Sequence, residues 1–245
     1  QIRQRQLLAR KNYDQVLSLL TPGEWRSARQ LLLDNQEVMG LLDEAARANA
    51  DALFAFFKEI DAGDGMADEK PVTEKNLDAA MGFYERAAQR AAALPEELDP
   101  SFVVQFKRAE NSKKRSRLVM ENHRVLAEER YGRIKQAVTP AQWQSARRLL
   151  FDNQDLFERY LEGQAQTDIV TLINFFRRID AGDSLVAQER ASVEKLSSAR
   201  SLYQDAAGIA AALSSGFDVT LMLRSREDDI RQREARITDL DSERR

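Results

Sequence analysis

The chain has 245 residues, a formal net charge of -3 and no cysteine. Disulfides, thiolate metal sites and cysteine catalysis are thereby excluded, and the acidic balance gives no global reason to expect nucleic acid as a partner. Ten glycines, five prolines and 7% aromatics against 31% charged residues suit long helices better than sheets.

The chain opens on Gln1 in mid-pattern, as expected of a piece of a longer protein, with a bacterial source suggested by its Ala- and Arg-rich composition. Any membrane attachment would come through segments outside it, because no apolar run approaches the ~18 residues that span a bilayer. The compartment is unknown from sequence.

The strongest signal is repetition. Thr21–Gln36 returns as Thr139–Gln154 with eleven of sixteen positions identical. Phe56–Asp64 returns as Phe175–Asp183, and Tyr84 with Ala91–Leu94 returns as Tyr203 with Ala210–Leu213. A period of roughly 118 residues marks a duplicated structural unit. The expected fold is all-α: two copies, 1–118 and 119–245, of long antiparallel helices in an elongated bundle.

In chain order, Thr21 is the expected N-cap of the first long helix, with Pro22 in its first turn and Glu24 completing a capping box; Thr139 and Gln142 repeat the pattern. A 3-4 spacing then runs unbroken through Trp25, Ala28, Leu32, Asn35, Met39, Leu42, Ala46, Asn49, Leu53, Phe56 and Ile60. Ala62-Gly63 reads as the stop, followed by polar loops at about 64–72 and, in the second copy, 183–188. The second copy carries one extra residue, to be absorbed by a π-bulge or by a shift of the buried face, with Gly163 the expected place. An Ala-rich helix follows in each copy.

A bridging helix over about 101–138 joins the copies, an arrangement that resembles the spectrin-type rod in principle, without a spectrin sequence signature. Ile230, Ile237 and Leu240 form a thin heptad seam near the end, where a helix so polar wants a partner. Helix is expected to continue beyond both ends.

Few features carry chemistry. His123 is the only histidine, and a surface or seam role outweighs a proton-transfer one. Asp61, Asp64 and Asp68 lack the alternating ligand spacing of an EF-hand. Asn35 and Asn153 interrupt the apolar seam and read as register-setting residues; alternatively, with Trp25 and Arg29, or Trp143 and Arg147, they line a polar ligand pocket. Either tryptophan anchors the start of a helix or, if exposed, docks a partner.

Lys107, Arg108, Lys113, Lys114, Arg115 and Arg117 form the one strong basic run, a candidate surface for an acidic partner or a face neutralised by neighbouring acids. The function expected is a non-enzymatic structural or interaction module, a scaffold, spacer or tether. It would act with protein partners or by self-association, without a cofactor. The alternative is an extracytoplasmic ligand-sensing bundle of a bacterial receptor.

Overall fold

The computed structural model describes residues 2–139, 142–188 and 192–243, with side chains to residue 238. The chain divides into two compact units, Gln1–Val119 and Met120–Arg245. Among the described residues all regular structure is helical.

The first unit holds α1 (Ile2–Leu19), α2 (Trp25–Asp34), α3 (Gln36–Met39), α4 (Glu44–Asp68), α5 (Glu74–Ala92) and the start of α6 (Ser101–Ala137). The second takes the end of α6, then α7 (Trp143–Asp152), α8 (Gln154–Tyr160), α9 (Gly163–Val186), α10 (Val193–Ala210) and α11 (Thr220–Glu243). Helix α6 is continuous over 37 residues, as the bridging pattern required. Val103 and Val104 at its start lie in the first core, and Ala127 and Ile134 near its end lie in the second.

The apolar seam is buried as its spacing demands: Trp25, Leu32, Met39, Leu53, Phe56 and Ile60 are all buried. Each fully buried side chain of this size contributes roughly 1.5–3 kcal/mol of transfer free energy. Phe56 and Phe57 meet edge to face at 5.1 Å, as Phe175 and Phe176 do at 5.2 Å. Small buried residues on α5 (Ala80, Ala87, Ala91) let α4 pack closely on it. In the second unit Ile230 is fully buried and α11 packs on α10. Ile237 is partly buried, whereas the side chain of Leu240 lies outside the described residues.

The expected single long helix is instead three. Asn35 leaves the helical region (φ −113°, ψ 17°), and its amide Nδ2 donates to the Leu31 carbonyl at 2.8 Å, replacing a backbone donor at that turn. A second break precedes Asp43, whose carboxylate caps α4 by accepting from the Ala46 N–H at 2.9 Å.

Asn153 repeats the first break, with Nδ2 donating to the Leu149 carbonyl at 2.7 Å. The extra residue makes no π-bulge. Leu161 turns extended after α8, and Gly163 opens α9 at φ 59°, a conformation L side chains rarely adopt.

The helix start also differs from expectation. Glu24 N–H donates to the Thr21 carbonyl at 3.2 Å, closing a turn with Pro22 and Gly23 at its centre, and α2 begins only at Trp25, without a side-chain cap. The Thr139 carbonyl accepts from the Gln142 and Trp143 N–H groups in the same way, while Pro140 and Ala141 lie outside the described residues.

Gly63 stops nothing, because α4 continues to Asp68 and takes in the start of the expected loop; α9 likewise continues to Val186. The glycine is needed for contact instead. A Cβ at Gly63 would lie 2.4 Å from Tyr84 Cε1, and one at Gly182 would lie 2.4 Å from Tyr203 Cε1.

Candidate binding clefts

Trp25, in the first turn of α2, lies parallel to the Phe57 ring of α4 at 6.4 Å. One turn further along α2, Arg29 donates from Nε and Nη2 to the two oxygens of Asp61, each at 2.7 Å. This planar fork fixes α2 against α4 in both distance and rotation. Three residues on, Asp64 accepts from the Tyr84 hydroxyl at 2.8 Å and from Lys107 Nζ, arriving from α6, at 2.8 Å. The Lys107 ammonium also stands 5.7 Å from the Trp25 ring centre. Arg26 lies over Trp25 at 4.8 Å and beside the exposed Phe106 ring at 5.5 Å. Trp25, Arg26, Arg29, Asp61, Asp64 and Lys107, with Gln30, line a cleft of about 400 Å³.

Corresponding positions build a cleft in the second unit, of about 560 Å³. Trp143 stacks on Phe176 at 6.4 Å, and Arg147 donates twice to Asp180 Oδ2, at 3.0 and 2.6 Å. Asp183 accepts from the Tyr203 hydroxyl at 2.7 Å and from Arg226 at 2.9 and 2.8 Å. Arg226 replaces the lysine point charge with a fork and covers Trp143 at 4.5 Å. Burial, and then the neighbouring carboxylate, push the hydroxyls of Tyr84 and Tyr203 well above the usual tyrosine range, so both stay protonated donors.

The structure therefore joins Trp25 with Arg29, and Trp143 with Arg147, but places the asparagines elsewhere. Asn35 accepts from Asn12 Nδ2 of α1 at 2.7 Å, and Asn153 is buried at the α7–α8 break. Asn35 faces α1, whereas Asn153 bonds within its own helix to the Leu149 carbonyl; both sit at helix breaks, and neither lines these clefts.

The basic run divides. Lys107 is only 7% exposed and belongs to the first cleft, so the run is not one open face. Lys114 pairs with Asp68 at 2.5 Å and Arg115 with Asp78 at 2.9 Å, the neutralised pattern. Arg108 is half-buried, whereas Lys113 and Arg117 are exposed and make no ion pair among the described residues. His123 Nδ1 lies 3.1 Å from the Tyr160 hydroxyl, with the rings 4.9 Å apart.

Sequence reasoning missed the acids. Asp61, Asp64, Asp180 and Asp183 stood in a recurring Asp-Ala-Gly-Asp pattern, but their cations come from elements 32 to 43 residues away. It also missed Asp168, which is fully buried. That carboxylate accepts from the Tyr131 hydroxyl at 2.6 Å, the Ser214 hydroxyl at 2.5 Å, the Ser214 N–H at 2.9 Å and Gln164 Nε2 at 3.0 Å. Burial alone would raise its pKa, but these donors outweigh it and hold Asp168 below the usual carboxylate range. The legible signal was a substitution within the repeat, Asn49 in one copy and Asp168 in the other.

Among the described residues no helix is long and apolar enough to cross a membrane, and no group of acids and histidine is arranged to hold a metal ion. Comparison with protein-family models, curated proteins and solved structures found no match.

Proposed function

We propose that this chain is a non-enzymatic interaction module, a scaffold or tether built from a duplicated unit of long antiparallel helices that offers a partner two equivalent docking clefts. One observation carries the reading: a tryptophan stacked on phenylalanine, an Arg–Asp pair and a second cation on a Tyr-braced aspartate occur twice, at corresponding positions. Ion pairs held by three helices keep such a surface preformed, which lowers the ordering cost of binding. Trp25 is itself buried and anchors the start of its helix, so a partner would meet the exposed arginines, a side chain that often anchors protein interfaces.

The partner is a protein segment, or another copy of the chain associating through its helices. The second reading, a ligand-sensing bundle, is favoured by cleft volumes of about 400 and 560 Å³, within the range of small-molecule sites.

Site-specific photocrosslinking in the source cells separates the two. A photoreactive residue at Gln30 or Ser184, each lining a cleft, should give the same discrete polypeptide adduct. The exposed Val170 serves as control. Adducts equally abundant at Val170, or none at either cleft, would defeat the module reading. A small-molecule adduct would establish the sensor.

A further inference from the structure

We infer that a separate cleft of the first unit binds a short zwitterionic peptide, its carboxylate on Arg108 and its ammonium facing Glu96 and Asp99. This cleft shares no lining residue with the two docking clefts, and the inference goes beyond the docking reading.

The cleft holds about 470 Å³ between α5 and the start of α6, within the range of small-molecule sites. Ala88, Ala91 and Ala92 at the end of α5, with Leu94 and Val104, give it an apolar lining. Glu96 and Asp99 line it from the turn that leads into α6, and Arg108 lines it from further along that helix.

Arg108 is the residue that points to a ligand. Its basic neighbours on α6 are committed, Lys107 to Asp64, Lys114 to Asp68 and Arg115 to Asp78. Arg108 is half-buried and makes no ion pair among the described residues, and its buried Nε has no hydrogen-bond partner among them. A buried donor without an acceptor is costly, and an anion held in the cleft would satisfy it.

The two copies differ at both ends of the cleft. Arg108 corresponds to Glu227 and Glu96 to Ser215. Asp99 is kept as Asp218, and each of these carboxylates accepts from the N–H two residues on, at the start of its helix. The pairing of an uncommitted guanidinium with Glu96 therefore belongs to the first unit alone.

Opposite charges at the two ends call for a molecule with an anion at one end, a cation at the other and an apolar body. Ser101 and Arg108 are about 10 Å apart along α6, and a helical side chain leans back toward the N-terminus, which leaves a gap of roughly 5–10 Å. A free α-amino acid carries both charges on one carbon and spans too little. An extended chain gains about 3.5 Å per residue, so about two or three residues fit. Ser101 and Gln105, also in the lining, offer a hydroxyl and an amide to peptide groups, which a plain alkyl chain lacks.

Alanine-methyl NMR tests the site directly. Ala88, Ala91 and Ala92 line it, and their counterparts Ala207, Ala210 and Ala211 in the second unit are the internal control. Trialanine at low salt should shift the first set saturably and leave the second unchanged. Trialanine acetylated at its N-terminus, or amidated at its C-terminus, should bind roughly tenfold more weakly, the usual consequence of losing one charge-assisted contact. Arg108→Gln should weaken trialanine by a similar factor and abolish the further effect of amidation, and Arg108→Lys should restore part of the loss. Glu96→Gln should likewise abolish the effect of acetylation. Circular dichroism checks that the variants fold, and the capped peptides test the unaltered chain.

No saturable shift, equal shifts at Ala207, Ala210 and Ala211, or undiminished binding of a peptide capped at both ends overturns the proposal. Tighter binding of 6-aminohexanoate than of trialanine overturns the assignment to a peptide.

Discussion

Tyr13 in the first unit meets the amide of Asn49, whereas its counterpart Tyr131 in the second donates to the buried carboxylate of Asp168. The change from amide to acid comes with a second one. Ser214, which gives Asp168 both its hydroxyl and its N–H, corresponds to Pro95, a residue with no N–H to donate. A carboxylate at position 49 would thus lack donors that the second unit supplies. The two differences belong together: a buried charge persists only where enough donors converge on it. Here the turn after the Ala-rich helix provides two of four.

Asp168→Ala should produce the largest effect. It leaves the partners of a fully buried carboxylate without an acceptor, which costs about 3 kcal/mol or more, against about 1 kcal/mol for Asn49→Ala. Urea denaturation, followed at Trp143 for the second unit and Trp25 for the first, checks this. Equal losses would dissolve the contrast between the units.

The glycines should instead behave alike. Gly63→Ala and Gly182→Ala each drive a methyl against a tyrosine ring tethered to aspartate, with an expected loss of about 1–3 kcal/mol despite the better helix propensity of alanine. A gain in thermal stability at either site would show that the ring yields easily.

The pH response should separate the units again. Burial, and then its bond to Asp168, push Tyr131 up to about 12, so it supplies stability that is complete below pH ~10 and lost as pH rises from there to about 12. Asp168, held low, supplies stability present above pH ~4 and lost as pH falls through its depressed value. Melting of Asp168→Asn across pH should flatten the acid limb. An unchanged limb would assign acid sensitivity to other carboxylates.

Asn35→Leu should destabilise the first unit by about 1 kcal/mol, because it orphans Asn12 Nδ2 and frees the helix break. A rise in melting temperature would restore the asparagine to the role of a mere seam interruption. Lys113→Glu, at an exposed position, should shift stability by less than about 0.5 kcal/mol, and Lys107→Glu by far more because it places a carboxylate beside Asp64. Thermal melts of the pair test how far the basic run is structural.

Helical class and the buried stripe were open to reading from sequence, because burial follows periodicity and the 3-4 spacing from Trp25 to Ile60 names residues that are now inside. The bridging helix was legible for the same reason, having no helix breaker before Gly132. The breaks at Asn35 and Asp43 were not. Each turns on one polar side chain capturing a backbone group, a local competition invisible to apolar spacing.

The charged clefts needed tertiary structure altogether. Arg29 finds Asp61 across 32 residues and Lys107 finds Asp64 across 43, and the spacing of charges along one helix says nothing about which charges face it from another. Tertiary packing likewise decided that Gly63 admits a tyrosine ring instead of ending a helix, because only the neighbouring helix sets how much room a missing Cβ must leave.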